Sequence, residues 1–428
     1  MPTALLAGGI FLVIYGLIVT EKIHRTLAAM LGASLVLLFR IMDQREAFSP
    51  DVIDFNVIFL LAGMMIIANI MAKTGVFQWL AIKAVRWARG RPYRLLVATS
   101  IFTAVASAFL DNVTTVVLLT PITFFAAQRL GTSPVPFLIS QILASNIGGT
   151  ATLIGDPPNI IIGSRLGKDF NDFLVNLTPT ITVAFVAYIL FARWLFRKDL
   201  ARATRALEVE DIERLERDEM RIQDPRLMRI SLVVMGLTIL GFLLSRPLHL
   251  EGATIAITGA IVLVIIAKED VHEVLRSVEW STLFFFIGLF VVVGGVVKAG
   301  IIAALAQQVG ALAQGNTVAA AFLVLWMSGI ASAVVDNIPY TITMIPLVQE
   351  LGKSMNIEPL IWALALGANL GGNATVVGAS ANVVVSSLSE ARGHPITFAH
   401  YLRYGVPATL VTMLVASADV WVRSVLFR

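Results

Sequence analysis

A carboxylate and a carboxamide stand side by side at two places in this chain, each in the middle of a long apolar stretch. Asp111-Asn112 ends the stretch Ala-Ser-Ala-Phe-Leu-Asp-Asn, and Asp336-Asn337 ends the stretch Ala-Ser-Ala-Val-Val-Asp-Asn 225 residues later. A charged Asp at the centre of a membrane costs about 2.5–3.5 kcal/mol on insertion scales. A polar pair that occurs twice at such depth indicates a binding site built from two related halves, which is typical of a transporter.

The composition excludes a soluble globular domain. The chain is 57% apolar and 14% charged, with a mean hydropathy of +0.83, whereas soluble domains carry about 25% charged residues. Apolar segments recur from end to end, so we predict an all-α polytopic membrane protein whose first apolar segment, residues 4–20, is a span and not a signal peptide. The chain has no cysteine, which excludes thiolate metal sites and cysteine nucleophiles. We predict no enzymatic activity, no cofactor, no metal site and no nucleic-acid partner.

The two halves of the chain match in register. Gly63, Lys73, Gly75 and Pro121 recur 225 residues later as Gly288, Lys298, Gly300 and Pro346. Residues 146–159 match residues 369–382 at a spacing of 223. Hydropathy predicts five spans per half, near 4–20, 26–41, 55–73, 135–164 and 173–196, and near 227–245, 251–267, 281–298, 358–388 and 403–425. Because five is odd, the second half inserts upside down, and binding at the interface of such inverted repeats is typical of secondary transporters.

Two further elements are predicted between the third and fourth span of each half. Residues 76–91 have apolar side chains at helical spacing and basic ones opposite, which predicts a helix lying in the membrane interface. The apolar arms 95–110 and 113–128 are shorter than the ~20 residues needed to cross a bilayer. They predict a re-entrant hairpin with its tip at Asp111-Asn112, and residues 317–350 repeat it.

Each hairpin is followed by a span with paired glycines, Gly148-Gly149 in the first half and Gly371-Gly372 in the second. We predict that the helices break there, since unwound backbone is tolerated inside a membrane around a polar cavity; close helix packing at these glycines is the alternative. Two hairpin tips and two broken helices would then form one cavity between the repeats. The predicted substrate-binding residues are Asn112, Thr114, Thr115, Asn146, Thr150 and Thr152 in the first repeat and Asn337, Thr341, Asn369, Asn373 and Thr375 in the second.

Asp111 and Asp336 are predicted to couple transport to an ion. A buried carboxylate either takes up a proton or pairs with a cation. Neither hairpin arm contains a Lys or Arg, so the positive charge must come from a proton, a sodium ion or the substrate, and we favour the proton. We also expect no Lys or Arg in the cavity, which argues against di- or tricarboxylate substrates because cationic side chains usually hold such anions.

The distribution of Lys and Arg indicates the orientation, because cytoplasmic loops carry an excess of both. With the two termini on the periplasmic or exterior side, most of the 32 Lys and Arg residues fall in the cytoplasm, including those of residues 83–94. We therefore predict a multi-pass inner-membrane protein. Residues 198–226 are predicted to be a charged cytoplasmic helix joining the repeats, and the alternative is a docking surface for a cytoplasmic partner such as an ATPase subunit.

These motifs resemble those of the ion transporter superfamily, in particular arsenite and antimonite efflux permeases and the melanocyte P protein. The resemblance is carried by Phe109-Leu-Asp-Asn-Val-Thr-Thr115, residues 146–159, Asp336-Asn-Ile-Pro-Tyr340 and residues 368–373, and the hairpin sequence is closer to the P-protein pattern. It implies a homodimer in the lipid bilayer. Within the repeats 1–197 and 227–428, it implies a scaffold (4–73 and 227–298) and a transport domain (93–197 and 317–428) that moves like an elevator.

We predict a proton-coupled secondary transporter that exports arsenite or antimonite. At neutral pH arsenite is a small uncharged trihydroxide, which Asn, Thr and Asp side chains can hydrogen-bond. Without cysteine, the metalloid would be held through its oxygen atoms. The alternatives are a Na⁺/H⁺ antiporter or Na⁺-coupled anion transporter on the same scaffold, and a passive anion channel.

Overall fold

The chain folds into helices and turns over the part that the computed structural model describes, residues 2–20, 22–88, 91–201 and 224–426. The helices of the first half are α1 (Pro2–Thr20), α2 (Arg25–Leu38), α3 (Gln44–Ala47), α4 (Phe55–Lys73), α5 (Val76–Ala88), α6 (Pro92–Ser107), α7 (Asn112–Arg129), α8 (Val135–Gly149), α9 (Pro157–Leu166), α10 (Phe170–Asn176), α11 (Thr178–Leu195) and α12 (Arg197–Leu200). Those of the second half are α13 (Pro225–Leu243), α14 (Ser245–Leu248), α15 (Gly252–Ala267), α16 (Val271–Ser277), α17 (Trp280–Lys298), α18 (Ile301–Leu312), α19 (Thr317–Ser332), α20 (Asn337–Leu351), α21 (Glu358–Gly371), α22 (Ser380–Ala391) and α23 (Phe398–Leu426). The predicted all-α class is confirmed, whereas most of the predicted linker 198–226 lies outside the described residues.

The fold is that of a multi-pass membrane protein. Among the described residues, six helices are long and apolar enough to cross a bilayer, namely α1, α4, α11, α13, α17 and α23. Five shorter apolar helices accompany them, α2, α8, α15, α18 and α19. Two of the shorter ones, α8 and α19, are the first halves of the first predicted broken helix and of the second predicted hairpin.

Helices α1–α4 and α13–α17 form a frame in which the two halves interlock. Helix α2 packs along α17, and helix α4 packs along α15. Gly63 and Gly288 permit these contacts, because a Cβ on either would lie 2.7 Å from the backbone of the facing helix, at Ala256 and Ala29 respectively. The same contact therefore occurs twice with the roles of the halves exchanged, as expected for inverted repeats.

A left-handed glycine ends the last frame helix of each half. Gly75 has a φ of 81° and Gly300 a φ of 77°, a conformation that residues with a side chain rarely adopt. The turn redirects the chain from α4 into α5 and from α17 into α18. These two helices correspond to the predicted interfacial helices, and they lead into the hairpins.

The remaining helices, α6–α11 and α19–α23, form the core group. Each hairpin consists of two helices joined by a four-residue tip, residues 108–111 between α6 and α7 and residues 333–336 between α19 and α20. The first arm of each hairpin packs along the first half of a broken helix, α6 along α8 and α19 along α21. Breaks separate α8 from α9 at residues 150–156 and α21 from α22 at residues 372–379. The predicted hairpins and broken helices are confirmed.

Candidate functional site

A cavity of about 80 Å³ lies where the hairpin tips and the helix breaks face the frame. Its volume is enough for several water molecules. Hairpins, helix breaks and frame all contribute polar or charged groups to the cavity. These groups are Asp111, Asn112 and Thr114 of the first hairpin, Asp156 of the first break, Asn337 and Ser380 of the second repeat's core elements, and Arg25, Asn69, Glu279 and Thr282 of the frame.

The two hairpin aspartates cap the second arms of their hairpins. The Asp111 Oδ2 atom accepts a hydrogen bond from the backbone N–H of Thr114 at 2.8 Å. The Asp336 Oδ1 atom likewise accepts one from Ile338 at 3.0 Å. An acidic residue is favoured at this position because it satisfies free backbone donors and faces the positive end of the helix dipole.

Asp336 also has a cationic partner in the frame. The guanidinium of Arg25, at the start of α2, lies 3.5 Å from the Asp336 carboxylate and donates to the Ser380 hydroxyl at 2.6 Å. Ser380 in turn donates to the carboxylate at 2.8 Å. The expectation of a cavity without Lys or Arg is therefore wrong. The sequence gives no local sign of this contact, because Arg25 is 311 residues from Asp336 and lies outside both hairpins.

Asp156 and Glu279 are carboxylates of the cavity that the sequence analysis did not assign to the site, and Asp156 is the buried one. It ends the first helix break and is 2% exposed. Its carboxylate accepts a hydrogen bond from Asn112 at 2.6 Å and a longer one from Asn337 at 3.4 Å. It thus joins the tips of both hairpins. The signal that could have identified it is a charged residue within a predicted span, inside the Gly-Asp-Pro-Pro-Asn motif.

Four buried asparagines join the two broken helices behind the cavity. Asn146 donates to the side-chain oxygen of Asn382 at 2.9 Å, and Asn369 donates to that of Asn159 at 2.8 Å. The repeats exchange roles between these two bonds, which places the pseudo-two-fold axis between them. Asn146 also donates to Asn373 at 2.9 Å. The predicted residues Asn146, Asn369 and Asn373 are thus together at the interface of the repeats. The buried Asn369 Oδ1 atom has no hydrogen-bond partner among the described residues.

Asn159 and Asn382 were missed by the sequence analysis, and they hold the unwound segments. The Asn159 amide donates to the backbone carbonyls of Thr150 at 3.0 Å and Thr152 at 2.8 Å. The Asn382 amide donates to those of Gly372 and Thr375, both at 2.8 Å. Free carbonyls in a break need such donors, because unsatisfied backbone groups are costly inside a membrane.

The sequence left two roles open for the glycine pairs, breaking the helix and allowing close helix packing, and the structure shows both. A Cβ on Gly148 would lie 2.2 Å from the Ala104 backbone, and one on Gly371 would lie 2.3 Å from that of Gly329. The first glycine of each pair therefore allows close packing against a hairpin. The second stands at the break, where a Cβ on Gly149 would meet the Asn112 Oδ1 atom at 2.5 Å. Gly149 thus makes room for a residue of the cavity.

Most of the predicted threonines bind backbone rather than line the cavity. Thr150 donates to the carbonyl of Asn146 at 2.7 Å, and Thr341 donates to that of Asn337 at 2.8 Å. Thr152 and Thr375 donate to the hairpin-tip carbonyls of Ala108 and Ala333, respectively. The Thr115 hydroxyl is buried, and no hydrogen-bond partner for it lies in the described part of the chain. Of the predicted threonines, Thr114 lines the cavity.

The cavity lies toward one end of the helix bundle, and an ion pair joins the core group to the frame at the opposite end. Helices α13, α15 and α17 cross in alternate directions, so α13 and α17 begin on the same side, called here the linker face. Exposed Glu279 and partly exposed Arg25 lie at this face. At the other face, Arg165 of α9 pairs with Asp54 of the frame at 3.2 Å, and Ser164 donates to Asp54 at 2.9 Å. The core group is thus tied to the frame on the side away from the cavity mouth.

Re-entrant hairpins and broken helices that meet at a polar cavity within a helical membrane fold define a class of protein, the secondary membrane transporters. Within that class, the chain belongs to the CitMHS family, described as citrate transporters, whose family profile matches residues 15–367. It is therefore a transporter and not an enzyme.

Two relatives in sequence and one solved structure of similar fold can be compared with this chain. It is 42% identical over 426 residues to an uncharacterized transporter of Mycobacterium tuberculosis, and the match covers 98% of both chains. It is 35% identical to the human P protein over 499 aligned positions, which cover 97% of this chain and 59% of the P protein. The crystal structure of the YdaH transporter of Alcanivorax borkumensis has the same fold, with a TM-score of 0.64 at 14% identity over 94% of this chain and 98% of YdaH. The resemblance to the P protein is thus confirmed.

Proposed function

We propose that this protein is a proton-coupled secondary transporter that exports a small uncharged metalloid hydroxide, arsenite or antimonite. The observation that supports the proposal is the charge of the cavity. Among the described residues, Asp111, Asp156 and Glu279 line the cavity together with Arg25, and Asp336 lies against the Arg25 guanidinium. The formal charge of this group is −3 when all its members are ionised. Such a cavity repels a polyanion, whereas an uncharged trihydroxide can donate its O–H groups to the carboxylates.

The same carboxylates give a reason for proton exchange. An ionised carboxylate is an acceptor only, and a protonated one becomes a donor at one oxygen. Protonation of Asp111 or Asp336 from outside would therefore remove acceptors from a bound hydroxide and release it. Proton and metalloid then compete for the cavity. A transporter that exports the metalloid in exchange for an entering proton requires this competition.

Movement would take place between frame and core group. In this proposal, the frame holds the scaffold (4–73 and 227–298) and a homodimer interface, and the core group is the transport domain (93–197 and 317–428). Both termini lie outside, so the cavity faces the cytoplasm and the Arg165–Asp54 pair closes the outer side. Elevator motion requires this pair and the Arg25–Asp336 pair to open and close in turn.

The test is arsenite uptake into everted membrane vesicles, with proton and sodium gradients imposed separately. We expect saturable uptake driven by the proton gradient, at least tenfold lower in Asp111→Asn and Asp336→Asn. Asparagine is as good a helix cap as aspartate, so the hairpins should stay folded. Asp270→Asn is the matched control, since Asp270 caps α16 through His272 and Glu273 outside the cavity. Uptake driven only by sodium would overturn the coupling, and flux that does not saturate would favour a channel.

A carboxylate such as citrate is the second candidate, and Arg25 favours it. Its guanidinium lines the cavity and is shared between Asp336 and Ser380. A substrate carboxylate could replace Asp336 as its partner once Asp336 is protonated, which would give symport. Exchange of labelled citrate that is lost in Arg25→Gln would support this candidate, and saturable arsenite exchange without citrate exchange would exclude it.

A further inference from the structure

Asp156 is the most enclosed carboxyl group of the cavity. It stands at the N-cap position of α9, yet its side chain accepts no hydrogen bond from that helix. Pro157 and Pro158 occupy the first two helical positions and have no N–H to donate, and the Asn159 N–H donates to the backbone carbonyl of Asp156 at 3.0 Å. The side chain points instead to the two hairpin tips, where the amide groups of Asn112 and Asn337 donate to different oxygens of the carboxylate.

The surroundings of Asp156 differ from those of the hairpin aspartates. Asp111 and Asp336 each accept a bond from a helix N-terminus, and Asp336 has Arg25 and Ser380 besides. Asp156 has two neutral amide donors, and among the described residues no Lys or Arg lies within ion-pair distance of it. A buried carboxylate without a cation or helix N–H groups is costly in its ionised form.

The nearby charges add to this cost. Asp111 from the first hairpin and Asp336 from the second are the neighbouring carboxylates that act on Asp156. The frame contributes Glu279 and Arg25 to the same cavity, and Arg25 is occupied by Asp336. Three like charges against one shared cation favour the neutral form of Asp156.

We infer that Asp156 binds one coupling proton and that its two hydrogen bonds relay the occupancy of this site to both hairpin tips. The inference rests on the proton coupling of the proposed function and adds a residue to it. Loading forms an O–H bond on one carboxylate oxygen, and release returns the proton to water when the cavity faces the other side.

The relay follows from the donors at the two tips. In the ionised state both oxygens of Asp156 accept N–H groups, from Asn112 and from Asn337. A protonated oxygen becomes a donor and meets the donor group of Asn337, the longer and weaker of the two contacts. Asn337 must then turn its amide oxygen toward Asp156 or withdraw, so protonation changes the second hairpin first.

The first repeat has a carboxylate at this position and the second repeat does not. At the repeat spacing of 223 residues, Ala379 occupies the position of Asp156. It stands at the corresponding N-cap of α22 and has no ionisable group. This site therefore contributes one proton per protomer and per cycle.

Infrared difference spectroscopy of purified protein tests the site without any substrate. The background is the double variant Asp111→Asn/Asp336→Asn, which lacks both hairpin carboxylates. We expect a carbonyl band of a buried protonated carboxylic acid to appear as the pH is lowered and to disappear when Asp156→Asn is added. Asp156→Glu in the same background should keep the band at a shifted frequency. A band that survives Asp156→Asn in this background would overturn the inference, and so would identical carbonyl bands in the wild-type protein and in Asp156→Asn alone.

Transport of arsenite provides the functional readout in otherwise wild-type protein. Asp156→Asn should lose proton-driven accumulation of arsenite at least tenfold, and this loss should exceed its loss of labelled arsenite exchange at equal pH on both sides. Asp156→Glu should restore part of that accumulation. Wild-type accumulation that persists unchanged in Asp156→Asn would overturn the inference and leave the proposed function intact. If the wild-type protein moves no arsenite but the infrared band behaves as expected, the substrate assignment fails and the proton site stands.

Discussion

The asparagine side chains of this site donate and accept hydrogen bonds at the same time. Each asparagine offers two donors and an acceptor, so it can satisfy a backbone carbonyl and a partner side chain together. Asn382 does this by donating to the carbonyls of Gly372 and Thr375 while accepting from Asn146. The broken helices are thus stabilised by the same residues that join the repeats.

Gly149→Ala should destabilise the protein by about 1–3 kcal/mol, because the added methyl group would overlap the Asn112 side chain and the carbonyl of Gly155. The measurement is thermal unfolding in detergent, together with proton-driven transport. Gly236→Ala on α13 is the matched control, since a Cβ there meets nothing within 4 Å. It should leave stability unchanged or raise it by up to about 1 kcal/mol. Equal effects of both substitutions would show that Gly149 does not make room for Asn112.

The bond between Asn146 and Asn382 should appear as a coupling energy. A double-mutant cycle with Asn146→Ala and Asn382→Ala should give about 0.5–1.5 kcal/mol, the usual net value of one hydrogen bond. The pair Asn146→Ala and Asn171→Ala is the control, because Asn171 binds the carbonyl of Leu243 elsewhere. Its effects on unfolding should add. A coupling energy near zero between Asn146 and Asn382 would contradict the hydrogen bond between the repeats.

The sequence predicted this site only in part. Sequence analysis identified Asp111, Asn112, Asn146 and Asn369 because they recur at a fixed spacing inside apolar segments. A polar side chain there is costly unless it has a structural or functional role. The threonines were predicted by proximity in sequence, but a hydroxyl near a helix break is readily taken by a free carbonyl. Arg25 could not be predicted, because its contact with Asp336 depends on how α2 is placed against the second hairpin.

At the scale of helices, ion pairs at opposite ends of the interface join the core group to the frame, and two of them concern the cavity side and the side opposite. The Arg165–Asp54 pair closes the side away from the linker face, and Arg165 also donates to the carbonyls of Asp51 and Val52. The Arg25–Asp336 pair lies at the cavity mouth. A chain that opens alternately to both faces has to weaken one pair while it forms contacts near the other.

Asp54→Asn should therefore shift the protein away from the state open to the linker face. The substitution keeps the cap of α4 and removes the charge that Arg165 binds. Ala68→Cys, on the cavity wall, reports the change, because the chain has no cysteine of its own. Labelling of this cysteine from the linker face by an impermeant maleimide should slow at least threefold.

Glu269→Gln is the control for that experiment. It breaks the Lys73–Glu269 ion pair of 2.8 Å, which lies wholly within the frame. Labelling should then keep the rate of the parent protein. Slowing by both substitutions alike would show that the Arg165–Asp54 pair has no special role in closing the side away from the linker face.

The order of the helices could be predicted from the sequence, but the residues at which they begin and end were predicted less accurately. Hydropathy and the repeat placed the first hairpin at 95–110 and 113–128, against the observed Pro92–Ser107 and Asn112–Arg129. The last span was predicted at 403–425, whereas α23 covers Phe398–Leu426 and continues through Pro407. Apolar composition marks where a helix meets lipid or core, but a helix continues past that point wherever its backbone bonds are maintained.

At the scale of the molecule, the halves are intertwined and not merely adjacent. Each half supplies helices to the frame and to the core group, and α2–α17, α4–α15 and α8–α22 contacts all run between halves. We expect that cleavage at a protease site inserted between residues 202 and 223 leaves the halves together on affinity purification in mild detergent. Transport should then fall by no more than about half. Separation of the halves after cleavage would contradict this interlocked packing.

In a perfect inverted repeat, the state open on one face would be the image of the state open on the other, and both would bind solute equally well. This chain breaks that equivalence at Asp156, whose counterpart is Ala379, and at Arg165, whose counterpart is Leu388. The two end states therefore differ in their contacts and in their free energies. Half-saturation concentrations measured from the two faces of the bilayer should differ accordingly, although the gradients alone still set the direction of net flow.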